Sequence, residues 1–110
     1  MAGRIHLKAK SKYRAVPVVV AGIRFASKRE AACYQQLKHL QNIGDITDLQ
    51  LQVPFTMKVN GKVICRFIAD FTFRCNGRYR VADAKGFRTP VYKIKKKLMA
   101  ACHGIEIEEL

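Results

Sequence analysis

Acidic residues are scarce in this sequence. Eight Asp and Glu stand against 21 Lys and Arg, a formal net charge of +13 over 110 residues. Such an imbalance points to a polyanionic partner. Charge alone does not separate DNA from RNA, a membrane surface or an acidic protein, nor an enzyme from a binding module. Long hydrophobic runs are also missing. The best candidate, residues 16–23, is too short to cross a bilayer and is broken by Pro17 and Gly22. The N-terminus is basic, but no apolar core with a small-residue cleavage site follows it, so the chain is expected to be soluble and intracellular. Tryptophan is absent, which leaves four Tyr and six Phe to supply aromatic bulk. No C-x-x-C pair occurs among Cys33, Cys65, Cys75 and Cys102, and His103 directly after Cys102 is poor spacing for two ligands of one ion. Both facts argue against a zinc ribbon or knuckle. Cys33, Cys65 and Cys102 fall where apolar residues are expected and read as reduced core thiols.

What is present suits one domain. Residues 1–16 carry Arg4, Lys8, Lys10, Lys12 and Arg14 without an acid, and read as a flexible basic arm, either a solvated tail or a segment that tracks phosphates. Residues 17–110 read as a single domain. Two β-prone runs around Ala21-Gly22 predict a short hairpin. Ser27 and Glu30 have the spacing of a capping box. The helix that follows has an apolar side at Ala31, Cys33, Tyr34, Leu37, Leu40 and Ile43, and Gly44 ends it. A strand over residues 46–55, interrupted or bent at Pro54, leads to the hairpin turn Asn60-Gly61, a longer strand over 62–74, the turn Asn76-Gly77 and a third strand over 78–85. Thr89-Pro90 starts a second helix, whose buried stripe is expected at Val91, Ile94, Leu98 and Ala101. Residues 105–110 alternate apolar and acidic and suit a closing edge strand, reached by a right-handed crossover. The expectation is an α/β core with a mixed sheet in the order helix, three strands, helix, strand.

With so few acids, their positions carry information. Glu106, Glu108 and Glu109 lie at the end of the chain, and Asp45 and Asp48 read as turn residues. Glu30, Asp70 and Asp83 remain. Asp70 sits within a strongly apolar strand, where a carboxylate costs free energy unless it is paired, hydrogen-bonded or on a metal. Asp83 and Lys85, two apart on the next strand, point to the same face. Neighbouring strands lie roughly 5 Å apart, so Asp70 and Asp83 can share one cation, and a hard divalent ion prefers such oxygens. Metal, paired acids and a nearby lysine are the elements that phosphodiester hydrolysis requires.

These residues resemble the PD-(D/E)XK nuclease superfamily. Its pattern of an acid on the first helix, an Asp on a strand and Asp/Glu-x-Lys on the next strand is met by Glu30, Asp70, Asp83 and Lys85, with Ala69 in place of the nominal Pro. The stretches around Phe25-Ala-Ser27-Lys28-Arg29-Glu30, Leu49-x-x-Gln52-x-x-Phe55, Ile68-Ala-Asp70-Phe71, Asp83-x-Lys85-Gly86-Phe87 and Val91-Tyr92-Lys93-x-Lys95-Lys96-Lys97 are similar to those of small phage-encoded members. The resemblance spans roughly residues 13–108. It implies a metal-dependent DNA endonuclease acting with Mg2+ or Mn2+ in the cytoplasm of a bacterial host. A Holliday-junction-resolvase-like substrate preference, or nicking, follows by analogy, and a homodimer if junctions are cut. It further implies metal ligation by Asp70, Asp83, Glu30 and the main-chain carbonyl of Ala84, with Gln52 near the site. DNA contacts are expected from Lys93, Lys95, Lys96, Lys97, Arg88, Lys28, Arg29, Lys8, Lys10 and Lys12.

Structural alternatives stay open for each residue. Glu30 could serve only the capping box, Asp70 could pair with Arg80 or Arg66, and Asp83 with Lys85 could be a surface pair. Tyr92 could stack or simply pack. The competing functions are a non-catalytic nucleic-acid-binding protein and an adaptor for an acidic protein surface.

Overall fold

The computed structural model describes residues 16–110; the arm read at residues 1–16, with Lys8, Lys10 and Lys12, lies outside the described residues except for Val16. Two short strands, β1 (Val18–Val20) and β2 (Ile23–Phe25), pair antiparallel as the expected hairpin. Helix α1 (Lys28–Asn42) follows, then β3 (Thr47–Val59), β4 (Lys62–Cys75) and β5 (Arg78–Asp83), helix α2 (Pro90–His103) and β6 (Glu108–Glu109). The sheet order is β3-β4-β5-β6, with the first three strands antiparallel and β6 parallel to β5. The protein is thus α/β, with a mixed four-stranded sheet, two helices and a small hairpin.

Local chemistry sets the element ends. Ser27 Oγ accepts from Glu30 N at 3.0 Å and Thr89 Oγ1 accepts from Tyr92 N at 3.0 Å, so both helices start at side-chain caps. Asn60-Gly61 and Asn76-Gly77 place four consecutive-pair φ angles between 51° and 80°, the left-handed geometry that tight hairpins need. Gly104, at φ 67°, closes α2.

Two cores flank the sheet. Phe25, Ala31, Tyr34, Leu37, Ile46, Phe71, Phe73 and Ala82 form one beneath α1. Met57, Phe67, Ala69, Val81, Tyr92, Met99 and Ile107 form the other beneath α2. The two halves of β4 therefore serve different cores: Phe67 and Ala69, before Asp70, belong to the second, and Phe71 and Phe73, after it, to the first. The β3–β4 hairpin changes the core it covers at Asp70. Opposite that point, between the pairs Leu51–Phe71 and Val53–Ala69, Gln52 has φ 53°. A non-glycine residue in that region disturbs the strand and turns it, as a bulge does.

Three expectations are corrected. Pro54 does not interrupt its strand: it sits inside β3 and pairs with Ile68. β3 is an edge strand, where a missing N–H is tolerated. Ile43 caps α1 rather than packing, and is 57% exposed. The buried side of α2 is not Val91, Ile94 and Ala101, which are exposed, but Tyr92 and Met99, flanked by Leu98 and Cys102. One residue turns the face by about 100°, and burying the large Tyr92 and Met99 side chains outweighs burying Val91 and Ile94. The four cysteines are free and half-buried. No helix among the described residues is long and apolar enough to cross a membrane.

Candidate active site

Asp83 ends β5 and is 1% exposed. Its two oxygens have different partners. Oδ1 accepts from the main-chain N–H of Asp70 at 2.8 Å, and Oδ2 pairs with Lys85 Nζ at 2.7 Å. Asp70 returns the favour across the strands, its Oδ2 accepting from Ala84 N at 3.0 Å. The antiparallel register that pairs Phe71 with Ala82 puts these two acids side by side. Burial pushes the Asp70 carboxyl up to about 7, the neighbouring Asp83 charge adds to it, and the Ala84 N–H opposes it.

Glu30 comes from the first turn of α1. Its Oε1 accepts from Ala26 N at 3.3 Å and its Oε2 from Gln52 Nε2 at 3.0 Å. The same Gln52 nitrogen stands 3.5 Å from Asp70 Oδ1, so one amide bridges the helix acid and the strand acid. Burial raises the Glu30 carboxyl as well, against the Ala26 N–H. Glu30 therefore serves the helix start and the acid cluster at once. Neither Arg66 nor Arg80 takes Asp70: the partner of Arg80 is Glu108. Asp83 and Lys85 pair as the surface alternative supposed, but Asp83 is buried.

A second layer holds Lys85. Its ammonium lies 4.3 Å above the Tyr92 ring centre. The Tyr92 hydroxyl donates to Glu109 Oε2 at 2.9 Å. Glu109 also takes Arg88 at 2.6 Å and Lys96 at 3.0 Å. Lys96 and Arg88, expected to be available for DNA, are therefore both paired with one acid that the sequence reading set aside, which offsets one of their two charges. Tyr92, left open between stacking and packing in the sequence, packs, and its contact with Lys85 and the part played by Glu109 were not read from the sequence. The available signal was an acid-rich final strand following a lysine-rich helix.

The remaining basic residues divide by side. Lys93 and Lys97 join Arg88 and Lys96 around a concavity of about 760 Å3 between α2 and β6, which none of the three central acids lines. Lys95 instead lies with Arg66 and Lys85 along a smaller groove. Lys28 is exposed, and Arg29 lines a cleft of about 640 Å3 together with Glu30, Asp70, Ala84, Lys85 and Phe87. A second cleft of about 430 Å3, under the β1–β2 hairpin, shares Ala26, Glu30 and Asp70 with it. Glu30 and Asp70 stand where these two clefts meet, while the buried Asp83 lines neither.

Among the described residues, no three His, Cys, Asp or Glu side chains already stand together at metal-ligating spacing. Of the six carboxylate oxygens of Glu30, Asp70 and Asp83, five face main-chain N–H groups or Gln52, and Asp83 Oδ2 faces Lys85. The donor set is nevertheless oxygen-rich and comes from three separate elements, and a hard divalent cation favours such a set.

No match was found among curated proteins or among solved structures. A family model matches residues 10–106, nearly the whole chain, and includes every one of Glu30, Gln52, Asp70, Asp83, Lys85, Phe87 and Tyr92. The chain belongs to the family described as proteins of unknown function, DUF1064.

Proposed function

We propose that the protein is a divalent-metal-dependent DNA endonuclease of the PD-(D/E)XK type. The observation that carries this reading is the meeting of Glu30, Asp70 and Asp83 from α1, β4 and β5, with Lys85 Nζ 2.7 Å from Asp83, in a chain of net charge +13. A carboxyl pushed up to about 7 beside a second, buried carboxylate fits a place where a cation relieves like-charge crowding.

Asp70, Asp83 and the main-chain carbonyl of Ala84 would hold Mg2+ or Mn2+, with Glu30 completing the set directly or through water. The ion, when bound, supplies polarisation of the phosphoryl oxygens and a more acidic water. The chain's own residues do the rest. Gln52 orients Glu30 and Asp70. Lys85, fixed between Asp83 and Tyr92, presents a positive charge where negative charge builds up on the phosphate. Arg29, on the cleft wall, and the exposed Lys28 and Lys95 offer backbone phosphate contacts, which position DNA without reading its sequence.

The test is incubation of the protein with labelled four-way junction, plain duplex and single-stranded DNA, in Mg2+, Mn2+ and EDTA, beside Asp83→Ala. Metal-dependent cutting by the wild type, reduced at least about a hundredfold in the variant, supports the reading. Tight, salt-sensitive binding with no cutting in either metal replaces it with a non-catalytic DNA-binding protein. Preference for the four-way junction would call for a twofold dimer, since two symmetric cuts need two sites.

A further inference from the structure

Helix α2 presents its lysines to two separate sides. Successive helical residues are turned by about 100°, so Lys95 stands about 200° around the helix from Lys93. Lys93 and Lys97 lie one turn apart on the same side. The hollows of the surface follow this division. The groove of Lys95 also holds Arg66, and through Lys85 and Thr89 it adjoins the cleft that Glu30 and Asp70 line. The concavity of about 760 Å3 between α2 and β6 holds Lys93 and Lys97 and shares no lining residue with that cleft. Tyr92 is the one residue that lines both the groove and the concavity. Glu109 holds Arg88 and Lys96 on the concavity wall, whereas the exposed Lys93 and Lys97 have no ion pair among the described residues. Like charges at that spacing destabilise a helix, and a bound polyanion relieves them. From this separation we infer that α2 carries a second DNA-binding side, where Lys93 and Lys97 hold the phosphate backbone of a further duplex segment while the acid cluster faces the first. One chain then holds two duplex segments, one on either side of Tyr92, and the favoured substrate brings two segments close together. The inference deepens the nuclease reading above and rests on it.

What lines the concavity selects the class of ligand. A protein partner is held through a desolvated apolar centre with large or aromatic anchors. The aliphatic side chains lining this concavity are Ala100 and Ala101 alone, and the large exposed apolar residues of the helix, Val91 and Ile94, are not among its lining. Such a surface offers an acidic protein charge without an anchor. Nucleic-acid interfaces are more polar and much more positive than protein interfaces, and lysine contacts to phosphates position a duplex without reading its sequence. Four cations, Arg88, Lys93, Lys96 and Lys97, face two acids, Glu106 and Glu109, so the concavity is positive overall. Lys93 and Lys97 are about 6 Å apart along the helix axis, so both can meet one backbone strand. The groove on the other side, with Arg66, Lys85 and Lys95, holds the segment that runs to the acids.

The experiment counts duplexes per chain in EDTA, where no cutting interferes. Short duplexes carrying a donor dye and short duplexes carrying an acceptor dye are mixed in excess over the full chain at low salt. Energy transfer between them and the mass of the complex, by native mass spectrometry, are measured for three proteins. These are the wild type, the double variant Lys93→Ala with Lys97→Ala, and the same two positions changed to Arg. The wild type is expected to give energy transfer in complexes of one chain with two duplexes. The alanine pair is expected to bind the second duplex at least about tenfold more weakly, with first-duplex affinity near wild type. The arginine pair keeps the charge and is expected to hold both duplexes, which separates lost charge from a folding defect. A wild type that never holds more than one duplex per chain overturns the inference. So does bridging that requires two chains, or bridging that survives the alanine pair. The parent reading fails separately: bridging that depends on Lys93 and Lys97, without cutting in Mg2+ or Mn2+, keeps the second side and removes the nuclease. Cutting in metal by a chain that holds only one duplex does the reverse.

Discussion

Lys85 stands over the face of Tyr92, its Nζ 4.3 Å from the ring centroid, while the same ammonium pairs with Asp83. The ring is buried and is anchored at its far end by the hydroxyl bond to Glu109. Lys85 is thereby held by two contacts from different elements, and its position depends on Tyr92. A partly desolvated cation–π contact contributes about 0.5–2 kcal/mol. Tyr92→Phe keeps the ring face and loses one hydrogen bond, at about 0.5–1.5 kcal/mol of stability. Tyr92→Leu removes the face. Steady-state cleavage should show kcat falling about tenfold or more in Tyr92→Leu, and clearly less in Tyr92→Phe, with DNA affinity near wild type in both. Equal kcat in the two variants would mean that the ring does not position Lys85.

Asp70 and Asp83 crowd two carboxyl groups together, and only Asp83 has a lysine partner. Such an arrangement suits a bound cation at the expense of stability without one. Asp70→Asn keeps an oxygen to accept the Ala84 N–H and removes one of the two like charges. Cleavage should fall by at least about a hundredfold, while the metal-free protein melts several degrees higher at pH 8, where about 1 kcal/mol corresponds to roughly 4–8 °C. Asp83→Asn should not be stabilising, because it leaves Lys85 half-buried without its carboxylate. Thermal melting of both variants in EDTA checks the contrast.

Much of this arrangement is legible in the sequence because it is local. Asn60-Gly61 and Asn76-Gly77 announce their hairpins, and Ser27 and Thr89 announce the helix starts. The strand read over 78–85 ends at Asp83, so Lys85 meets Asp83 by an ion pair from the loop and not by sharing a strand face. What stays hidden depends on partners distant in the chain. Val91 and Ile94 look like a buried stripe until the sheet decides which side of α2 it covers. Pro54 looks like an interruption or a bend until β3 turns out to be the edge. Glu109 looks like one acid of an edge strand at the chain's end until the parallel pairing Asp83–Glu109 brings it to Tyr92, Arg88 and Lys96. The turn of the hairpin at Gln52 has no glycine to mark it, and a side chain bonded to two acids holds it there.

The lysines of α2 are not equivalent, although Lys95-Lys96-Lys97 are consecutive. Lys96 is paired with Glu109, whereas Lys93, Lys95 and Lys97 have no ion pair among the described residues. Lys95 shares its groove with Arg66 and Lys85. Binding to duplex or gapped DNA as a function of salt should separate them. Lys95→Ala and Arg66→Ala should each lower the slope of log K against log salt by about 0.7–0.9, the effect of one lost phosphate contact. Lys96→Ala should change it least. Glu109→Gln frees Arg88 and Lys96 and should tighten binding at low salt.

Glu109 also governs behaviour in acid. Hydrogen bonds from Lys96 first, then Arg88 and Tyr92, hold its carboxyl down at about 2, against an ordinary value of 4.5. The folded carboxylate therefore keeps its charge where the unfolded one takes up a proton. Its stabilisation is complete above pH 4.5 and is lost as the pH falls from 4.5 towards 2. Glu108, lowered by its hydrogen bond to Arg80, acts in the same direction, while Asp70 and Glu30, both raised, act in the opposite one. The whole-protein curve mixes these, so the informative quantity is the difference between wild type and Glu109→Gln. Urea unfolding at a series of pH values should find the variant less stable at pH 7, with a gap that stays constant down to about pH 5 and then narrows towards pH 2.5. A gap that does not change with pH would show that the three cations do not act on the Glu109 charge, and that the variant loses packing instead.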